Sequence, residues 1–456
     1  MLALLLHVND AGAQKNAAIV NFNPQHQQVT RFSSPGEAID AHDGEIAAFN
    51  GVYYLYGTSY GCGFEWGRKS APFCGFKVYS SKDLEHWTDL GALFDASTPV
   101  WQTRCNGSTY GCFRPHVIYN KKTRRYVLWI NVYDNRVGFR VFTSKNPAGP
   151  FREVAEPRLA VNSDSAIAGL NNGDHDTFVD DDGNGYIAYT DWRSKGSIVI
   201  EKLTPDYLSG SGEHVKGITP GNTEAPSLFR RNGVCYLLYS DPNCGYCSGT
   251  GTSYRTAPHP LGPWSGGKKI SDNSCGGQPS FVSAIRLNGS MVYLFGSDLW
   301  NNAAKNEALA NYYWAPLSFA ADGSINPMVC HDSIQLPLAA ATPPPPEKYL
   351  DNSSGSEGFR THCDIGHCIE TSQLFTATRS GVLTGVSITA FRSGYPDDSL
   401  YISVYPAGEN GLPAGKPLST AAFSADAISW SPQRVTMRPG IMVTRGKRYA
   451  IVIRSG

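Results

Sequence analysis

The sequence predicts an all-β protein, a five-bladed β-propeller followed by a β-sandwich domain. Three observations lead to this fold class. The 456 residues contain no long amphipathic helical pattern. Short apolar or aromatic runs recur roughly every 50 to 75 residues, near the spacing of propeller blades that carry loop insertions. Beyond residue 356, apolar and polar residues alternate with the period of two that is typical of an antiparallel sandwich.

The five apolar runs are predicted to be inner strands, one in each blade. They occupy residues 53–57, 126–130, 186–190, 235–239 and 292–296. Asn-Gly or Asp-Gly hairpin signals precede several of them. A second pattern, ending in His-Trp or Gly-Pro-aromatic at 80–87, 143–151 and 256–264, predicts an outer hairpin. The alternative is a generic array of β-sandwiches.

The chain is predicted to divide into four regions. We expect a signal-like N-terminal segment over 1–35, the propeller over 36–337, a proline-rich linker over 338–355 and the sandwich over 356–456. We expect the sandwich to bind carbohydrate or to be a structural appendage. Because the chain stops directly after an apolar strand, we also expect the sandwich to be truncated.

The 11 cysteines indicate an oxidising compartment, and we predict a secreted glycoprotein. The odd count leaves one thiol free or intermolecular. The start of the chain resembles a weak signal peptide. Three glycosylation sequons begin at Asn106, Asn288 and Asn352, and the local cysteine pairs that could close short loops are Cys62/Cys74, Cys105/Cys112 and Cys363/Cys368.

Charge and hydropathy limit the partners of the protein. The formal net charge is zero with 17% charged residues, so no attraction to nucleic acid or to an anionic membrane is built in. No apolar run approaches the roughly 18 residues of a membrane helix. Cys244-x-x-Cys247 lacks the second ligand pair of a zinc site. We predict a monomer that acts on a polysaccharide or oligosaccharide without a required cofactor, with a structural calcium left open.

Three acids occupy equivalent positions, shortly before the hairpin turns of three blades, and are the predicted catalytic group: Asp43, Asp174 and Glu224. Glycoside hydrolysis needs a proton donor for the leaving oxygen and a second carboxylate that activates water or attacks the sugar. Innermost propeller strands would direct such groups into the axial channel. Alternatives remain open: Asp40 or Glu45 could replace Asp43, Asp176 could replace Asp174, and Glu224 could be an ordinary strand end. The acids Asp180, Asp181 and Asp182 are expected to be turn residues.

Histidines and tryptophans provide further candidates. His42 and His175 flank two of the acids and are predicted to hydrogen-bond substrate or to orient Asp43 and Asp174. Candidate sugar platforms, each with core packing as the alternative, are Trp66, Trp101, Trp192 and Trp300.

The order Asp43, Asp174, Glu224, with the segments Thr177-Phe-Val-Asp-Asp-Asp-Gly183 and Glu224-Ala-Pro226, resembles glycoside hydrolase family 43 over about residues 36–337. Within that family the chain is most similar to the exo-β-1,3-galactanase group. The supporting segments are Ala41-His42, Val78 to Leu84 with Trp87, Arg114-Pro-His-Val-Ile-Tyr-Asn120 and Tyr313-Trp-Ala-Pro-Leu317.

The resemblance implies a five-bladed propeller and an inverting mechanism. Glu224 would be the general acid, Asp174 would raise its pKa and orient it, and Asp43 would be the general base. Gln278 lies where the galactanase group carries a glutamine beside the catalytic water, and Arg114 is expected to contact substrate.

Two departures from the galactanase pattern leave the substrate open. That group usually lacks an aspartate at the first position, whereas this chain has both Asp43 and Gln278. The group also carries a glutamate directly before Arg-Pro, and here the residue is Phe113, whose ring could stack on a sugar. The alternatives are an α-L-arabinofuranosidase or β-xylosidase on the same scaffold, and a non-catalytic carbohydrate-binding propeller.

Overall fold

The computed structural model of the protein describes residues 17–34, 36–66, 68, 70–99, 101, 105, 111–133, 137–164, 171–244, 249–287, 289–300, 306–336, 365 and 370–456. Outside the described residues lie the signal-like start up to residue 16, the proline-rich linker, the Cys363/Cys368 pair and the three sequon asparagines.

The described part is all-β, as predicted. Its larger part consists of five antiparallel sheets, whose strands lie side by side in chain order. The first sheet contains β2 (His42–Phe49), β3 (Val52–Thr58), β4 (Phe76–Ser81) and β5 (Thr88–Ala92), and the second contains β6 (Cys112–Asn120), β7 (Arg125–Val132), β8 (Phe139–Ser144) and β9 (Arg152–Ala155). The third contains β10 (Asn172–Val179), β11 (Gly185–Asp191), β12 (Ser197–Leu203) and β13 (Gly210–Val215). The fourth contains β14 (Glu224–Arg231), β15 (Val234–Ser240), β16 (Thr252–Ala257) and β17 (Lys268–Ser271), and the fifth contains β18 (Gln278–Leu287), β19 (Ser290–Leu299) and β20 (Asn311–Pro316). Short 3-10 turns lie at Ser274–Gly276, Glu307–Leu309 and Ala425–Ala427.

The five apolar runs are second strands, so the prediction that they are inner strands is wrong. They coincide with β3, β7, β11, β15 and β19, and the innermost strand of each sheet is the one that precedes them. The second strands are continuously apolar because neighbouring sheets bury both of their faces. The innermost strands begin with polar residues, as in His-Asp-Gly-Glu of β2 and Asn-Gly-Asp-His of β10, and therefore escape a search for apolar runs.

Each pair of successive sheets encloses its own apolar core, and the fifth sheet packs against the first in the same way. Tyr56 of the first sheet shares a core with Leu128 of the second, and Trp129 of the second shares one with Ile187 of the third. The third and fourth sheets, and the fourth and fifth, meet in the same way. Leu55 and Trp314 belong to a core that joins the fifth sheet back to the first. The innermost strands β2, β6, β10, β14 and β18 likewise contact one another in sequence around a ring.

A two-stranded sheet joins the beginning and the end of this ring. Strand β1 (Ala17–Val20) pairs antiparallel with β21 (Ser333–Leu336), so that Ala17 lies opposite Leu336. Ile19 and Leu336 are buried in the core shared by the fifth and first sheets. The pairing therefore adds main-chain hydrogen bonds where the last sheet meets the first.

Every innermost strand contains a β-bulge near its start. The register shifts between His42 and Glu45 in β2, and the four equivalent shifts are Phe113/His116, Asn172/His175, Glu224/Ser227 and Pro279/Phe281. A bulge bends its strand and turns a side chain away from the regular alternation. The repeated irregularity thus redirects residues from all five strands at one level of the ring.

The C-terminal part, over the described residues 370–456, contains eight strands in three small sheets. The four-stranded sheet has the order β22 (Thr371–Thr376), β29 (Arg448–Ser455), β25 (Ser399–Pro406) and β26 (Ser419–Ser424), while β23 (Gly381–Leu383) pairs with β28 (Ile441–Val443) and β24 (Val386–Ala390) pairs with β27 (Gln433–Met437). Ile402, Val435 and Tyr449 belong to a core that lies between these sheets. This antiparallel, two-layer burial agrees with the alternation in the sequence.

The C-terminal part is docked firmly on the five-sheet ring. Trp430 is completely buried in an aromatic cluster with Tyr60 and Phe113 of the ring. Its backbone N–H donates to the carbonyl of Gly61 at 2.9 Å, and its own carbonyl accepts from Asn306 Nδ2 at 3.0 Å. The interface therefore combines apolar burial with hydrogen bonds that fix its geometry.

Disulfides connect several loops of the ring. The predicted pairs Cys62–Cys74 and Cys105–Cys112 are confirmed, and Cys275–Cys330 is a long-range bond that the sequence did not reveal. Cys235 is a free, buried thiol. Within the described residues, no helix is both long and apolar enough to cross a membrane.

Candidate active site

The three predicted acids meet around one arginine. Asp43, Asp174 and Glu224 lie at the bulged starts of β2, β10 and β14, and Arg114 comes from the bulge of β6. Arg114 Nη2 lies 2.7 Å from Asp174 Oδ2, and the Arg114 backbone N–H donates to Asp43 Oδ1 at 3.1 Å. All four side chains are buried. The alternative that Glu224 is an exposed strand end is therefore wrong.

Asp43 is held in a strained and well-defined position. Its φ of 55° lies in the left-handed region that few non-glycine residues adopt. Its carboxylate accepts hydrogen bonds from Thr58 Oγ1 and from the Tyr60 hydroxyl, both at 2.6 Å. Burial raises the pKa of Asp43 to about 6, although Arg114 and the two hydroxyl donors favour the ionised form. The group can therefore accept a proton near neutral pH.

Glu224 is the candidate proton donor, because its surroundings favour the protonated carboxyl group. Burial raises its pKa well above the usual value for a glutamate, and the neighbouring carboxylate of Asp174 raises it further. The charge of Arg114 and a hydrogen bond from Gln278 act against this shift. Glu224 is therefore a carboxyl group that keeps its proton at a pH where an exposed glutamate has lost it.

Gln278 connects Glu224 to the wall of the site. Its Nε2 donates to Glu224 Oε2 at 3.1 Å and to Asn243 Oδ1 at 3.3 Å. Trp300 Nε1 donates to Gln278 Oε1 at 3.2 Å, which fixes the orientation of the amide. Two of the predicted substrate-binding residues therefore form one hydrogen-bonded chain that ends at the candidate acid.

His42 lies behind Asp43 and is fully buried, so it supports the acids from within the fold. Its Nε2 lies 3.3 Å from Asp40 Oδ1 and its Nδ1 lies 3.7 Å from Asp298 Oδ1. Burial lowers the pKa of His42, but Asp298 and Asp40 outweigh it and raise the pKa to about 9. Asp298 Oδ2 in turn accepts from the Asp43 backbone N–H at 3.1 Å. The cationic imidazole of His42 therefore pairs with Asp298, and Asp298 fixes the backbone of the β2 bulge at Asp43.

His175 also lies beneath the surface of the site. It packs edge-on against Phe139, with ring centroids 4.9 Å apart, and lies 5.2 Å from the His116 ring. Burial lowers the pKa of His175 well below its usual value, and the charges of His116 and Arg114 act in the same direction. The side chain is therefore a neutral spacer between Asp174 and the core.

A second polar cluster lies further along the same innermost strands. Glu45, His116 and Asp176 offer ligand atoms within 4.8 Å of one another. Each carboxylate accepts a backbone N–H of the next innermost strand, from Val117 at 2.5 Å and from Leu228 at 2.6 Å. A cavity of about 1150 Å³, lined by all five innermost strands, adjoins the cluster at the end of the ring opposite the bulges.

The three residues could hold a metal ion, but calcium fits them poorly. Calcium prefers six to eight oxygen ligands, whereas one of the three side chains offers nitrogen and each carboxylate has one oxygen bound to a backbone N–H. His116 Nδ1 lies 3.0 Å from Asp176 Oδ1, so the imidazole and carboxylate form an ion pair without a metal. Glu45 and Asp176 therefore link neighbouring strands beneath the site.

Aromatic rings form the side of the site next to Arg114. Phe113 is buried and contacts Trp66 and Tyr133, with ring centroids 5.3 and 5.6 Å away. Burial raises the pKa of Tyr133, and the nearby charges of Asp174 and Glu224 raise it further. Phe113 thus supports an aromatic wall close to the acids, with Trp66 exposed at its outer edge.

The other two candidate platforms lie away from this wall. Trp101 packs edge-on against Phe73 at 4.7 Å and belongs to the core between the first two sheets, which agrees with the packing alternative. Trp192 lies over Gly173, close to the bulge of β10. Asp180 pairs with Arg230 at the far turn of the third sheet, as expected of a turn residue, with Nη2 and Oδ2 2.7 Å apart.

Sequence analysis missed four residues that shape the site: Thr58, Tyr60, Asn243 and Asp298. Thr58, Tyr60 and Asp298 lie at the end of an apolar second strand or just after it. At these positions the chain returns to the level of the bulges. Polar residues that end these runs, such as Asp298 in β19, were the available signal. Asn243 lies in the loop after β15, and no sequence pattern marks it.

Comparison with known proteins decides the family. The model of glycosyl hydrolases family 43 matches residues 32–281, which include the three acids, Arg114 and Gln278. The chain belongs to glycoside hydrolase family 43. This membership agrees with the resemblance that the sequence motifs indicated.

Curated relatives of the chain differ in the activity that their names state. A β-D-galactofuranosidase of Aspergillus niger is 27% identical over 231 residues, which are 49% of this chain and 62% of that protein. An arabinoxylan arabinofuranohydrolase of Bacillus subtilis is 26% identical over 264 residues, covering 50% of this chain and 49% of that protein. The chain therefore spans less than two thirds of the length of these curated relatives.

Solved structures share the fold. An exo-β-1,3-galactanase from Clostridium thermocellum superposes with a TM-score of 0.58 at 24% identity, covering 80% of this chain and 73% of that chain. An exo-β-1,3-galactanase from Phanerochaete chrysosporium, in complex with β-1,3-galactotriose, gives a TM-score of 0.54 at 18% identity and covers 96% of both chains. The second likeness extends over the C-terminal part.

Proposed function

We propose that this hydrolase is a secreted, inverting exo-glycosidase that cleaves O-glycosidic bonds in a polysaccharide such as β-1,3-galactan. The observation that carries the proposal is the contrast between two buried carboxyl groups of one site. Glu224 is held protonated by burial and by Asp174, whereas Asp43 is kept ionisable by two hydroxyl donors and a backbone N–H. One acid and one base are the groups that an inverting glycosidase requires.

The proposed scaffold is a five-bladed β-propeller with a C-terminal β-sandwich. The five sheets would be the blades, and β1 with β21 would close the ring. The cores between successive sheets support this description, as do the family 43 structures with the same fold. We place the five blades over about residues 36–337, with β1 added to the ring from the preceding segment. We place the sandwich over 356–456 and propose that it assists carbohydrate binding.

The proposed reaction divides the chemistry between the two groups. The Glu224 carboxyl donates its proton to the glycosidic oxygen as the bond from that oxygen to the anomeric carbon breaks. Asp43 accepts a proton from a water molecule, whose oxygen attacks the anomeric carbon from the opposite face and inverts its configuration. Asp174, fixed by Arg114 at 2.7 Å, keeps the Glu224 proton in place through its negative charge. Gln278 orients the acid.

Both reacting groups are carboxyls of the chain, so the proposed step needs no cofactor. The substrate approaches from the bulged end of the ring, where Arg114, Phe113, Gln278 and Trp300 surround the acids. We propose that His42 and His175 act on the substrate indirectly, through the acids that they adjoin.

The galactan assignment rests on the exo-β-1,3-galactanases among the structures with the same fold. A second candidate is an enzyme that removes arabinofuranose, galactofuranose or xylose. The curated relatives favour it, because they are a galactofuranosidase and an arabinofuranohydrolase. Phe113 favours it as well, since a buried ring takes the place of an acid that would bind sugar hydroxyls.

Secretion is supported by the disulfides, which persist in oxidising compartments. We propose an extracellular glycoprotein that acts as a monomer on carbohydrate and binds neither nucleic acid nor membrane.

Product analysis on galactan, arabinan and xylan tests the function. The parent protein should release a monosaccharide from one of them, and NMR of the fresh product should show an inverted anomer. Glu224→Gln should lower kcat by about 100-fold to 10,000-fold and retain substrate binding, because only the proton donor is lost. The matched control Glu213→Gln, at an exposed glutamate of β13, should leave kcat unchanged.

Two results would contradict the proposal. A product that retains its anomeric configuration would exclude inversion. A parent protein that binds one of these glycans but hydrolyses none would favour the non-catalytic carbohydrate-binding propeller.

A further inference from the structure

We infer that the enzyme has a second glycan-binding region, in which Trp66 of the ring and Tyr395 of the C-terminal part together bind the polysaccharide chain beyond the sugar being cleaved. This inference rests on the proposed function, and it names the preferred substrate class: a polymer rather than a short glycoside. We call the surface formed by Trp66, Arg68 and Tyr395 the bridging surface.

Trp66 presents a fixed aromatic face to solvent at the edge of the active site. Its side chain is 48% exposed, a large fraction for a tryptophan. The ring packs edge-on against Phe113 at 5.3 Å and Tyr133 at 6.1 Å, and the backbone N–H donates to Glu307 Oε1 at 2.8 Å. Because Phe113 precedes Arg114 directly, a single ring separates Trp66 from the residues that hold the acids.

Tyr395 presents a second exposed ring on the other side of the domain boundary. Its side chain is 59% exposed. The Arg68 guanidinium lies 5.1 Å from the centre of the Tyr395 ring, and Arg68 Nη1 donates to the Tyr395 hydroxyl at 3.0 Å. Arg68 is the second residue after Trp66, so their Cα atoms are at most about 7 Å apart. Arg68 therefore connects the segment that carries Trp66 to the exposed ring of Tyr395.

The bridging surface is rigid for two independent reasons. The Cys62–Cys74 disulfide closes the segment that carries Trp66 and Arg68. Tyr395 packs edge-on against the buried Trp430 at 5.6 Å, and Trp430 is bound to Gly61 at the start of the same segment. A surface whose side chains are already ordered loses little conformational entropy when a ligand binds.

The chemistry of the surface matches a sugar chain. Aromatic rings pack against the apolar C–H face of a pyranose or furanose, while a guanidinium donates hydrogen bonds to hydroxyls. Aromatic side chains that line a cleft, and apolar surface that stays exposed beside one, are typical of ligand-binding surfaces. A chain whose end occupies the pocket would pass over Trp66 first and Tyr395 second.

Binding and turnover of substrates of different length test this inference. In the Glu224→Gln background, Trp66→Ala and Tyr395→Ala should each weaken the affinity for β-1,3-galactan, measured by calorimetry, by about three- to tenfold. Tyr395→Ala should leave the affinity for β-1,3-galactobiose unchanged. When Glu224 is present, KM for the polymer should be higher in both alanine variants than in the parent, whereas kcat should stay near the parent value.

Two further variants separate binding from a structural role. Trp66→Phe should recover most of the affinity, because it keeps an aromatic face. Val382→Ala, at a side chain of the C-terminal part that is 56% exposed, should change nothing.

The inference is overturned if the parent binds polymer no more tightly than the disaccharide, or if both alanine variants bind polymer as the parent does. A parent that binds polymer through these rings but hydrolyses nothing would overturn the proposed function alone.

Discussion

At the scale of single residues, the site depends on two carboxyl groups whose environments shift their pKa values for different reasons. Asp43, with a pKa of about 6, must be ionised to accept a proton, so kcat/KM falls as the pH decreases through about 6. Glu224 must be protonated, and because its pKa is raised well above that of an ordinary glutamate, activity persists to higher pH before it falls. The pH profile is therefore a bell whose acid limb reports on Asp43.

Replacing Tyr60 with phenylalanine tests this assignment. The variant removes a 2.6 Å hydrogen bond that favours the ionised form of Asp43, so the pKa of Asp43 rises. The acid limb of kcat/KM should move to higher pH by about one unit while the basic limb stays in place. Tyr401→Phe, in the C-terminal part, is the control. An unmoved acid limb in Tyr60→Phe would show that another group titrates there.

Sequence reasoning could propose the acids because the chemistry of glycoside hydrolysis restricts the residue type. Only Asp or Glu serves as the acid and base, and the motif around Glu224 marks its position. It could not find Tyr60 or Asp298, because many residue types can donate to a carboxylate or fix a backbone N–H. Their roles follow from contacts across the sheets, which no local pattern records.

At the scale of elements, the bulges of the innermost strands determine where the acids point. Asp43, Arg114 and Ala225 all have φ values between 53° and 55°, so three separate strands carry the same strained conformation at one level. Sequence patterns predicted the second strands well because both their faces are buried. They did not delimit the innermost strands, whose early residues include polar side chains of the candidate site and whose alternation the bulges interrupt.

Gly44→Ala tests the importance of the bulge in β2. A Cβ at Gly44 would lie 2.2 Å from the Tyr56 carbonyl oxygen, so β2 and β3 would have to separate. We expect the free energy of unfolding to fall by at least about 2 kcal/mol, measured by urea denaturation, and kcat to fall with it because Asp43 moves.

Gly266→Ala is the matched control for this variant, since a Cβ there meets no atom within 4 Å. Equal stability of Gly44→Ala and Gly266→Ala would mean that the β2 bulge tolerates a side chain and does not constrain the position of Asp43.

At the scale of the whole molecule, the C-terminal part is connected to the chemistry through one segment. Trp430 and Ser429 both donate to the Gly61 carbonyl, at 2.9 and 2.8 Å, and the neighbouring Tyr60 donates to Asp43. Alternation in the sequence predicted a β-sandwich there. It could not predict the docking, because the interface consists of contacts between residues far apart in the chain, such as those of Trp430 with Gly61 and Asn306.

Trp430→Ala should therefore affect both stability and catalysis. Removing a fully buried tryptophan costs about 3 to 5 kcal/mol and leaves the Tyr60 segment unsupported. We expect a lower Tm, a lower kcat and an acid limb shifted in the same direction as in Tyr60→Phe. Trp430→Phe should restore most of the activity.

The control for this variant is Met442→Ala, at a side chain of the C-terminal part that is 68% exposed. A lower Tm together with unchanged kcat and an unchanged pH profile would assign Trp430 a structural role alone.

The pairing of β1 with β21 has a consequence for how the polypeptide is made. Ala17 leaves the ribosome before its partner Leu336, which emerges only after roughly 300 further residues, or roughly 15 to 60 s of synthesis. During that time the first strand waits with unpaired backbone groups and an exposed Ile19. The nascent chain is therefore most vulnerable to wrong pairing before its last sheet arrives, and a chaperone that covers residues 17–20 would protect the step that completes the ring.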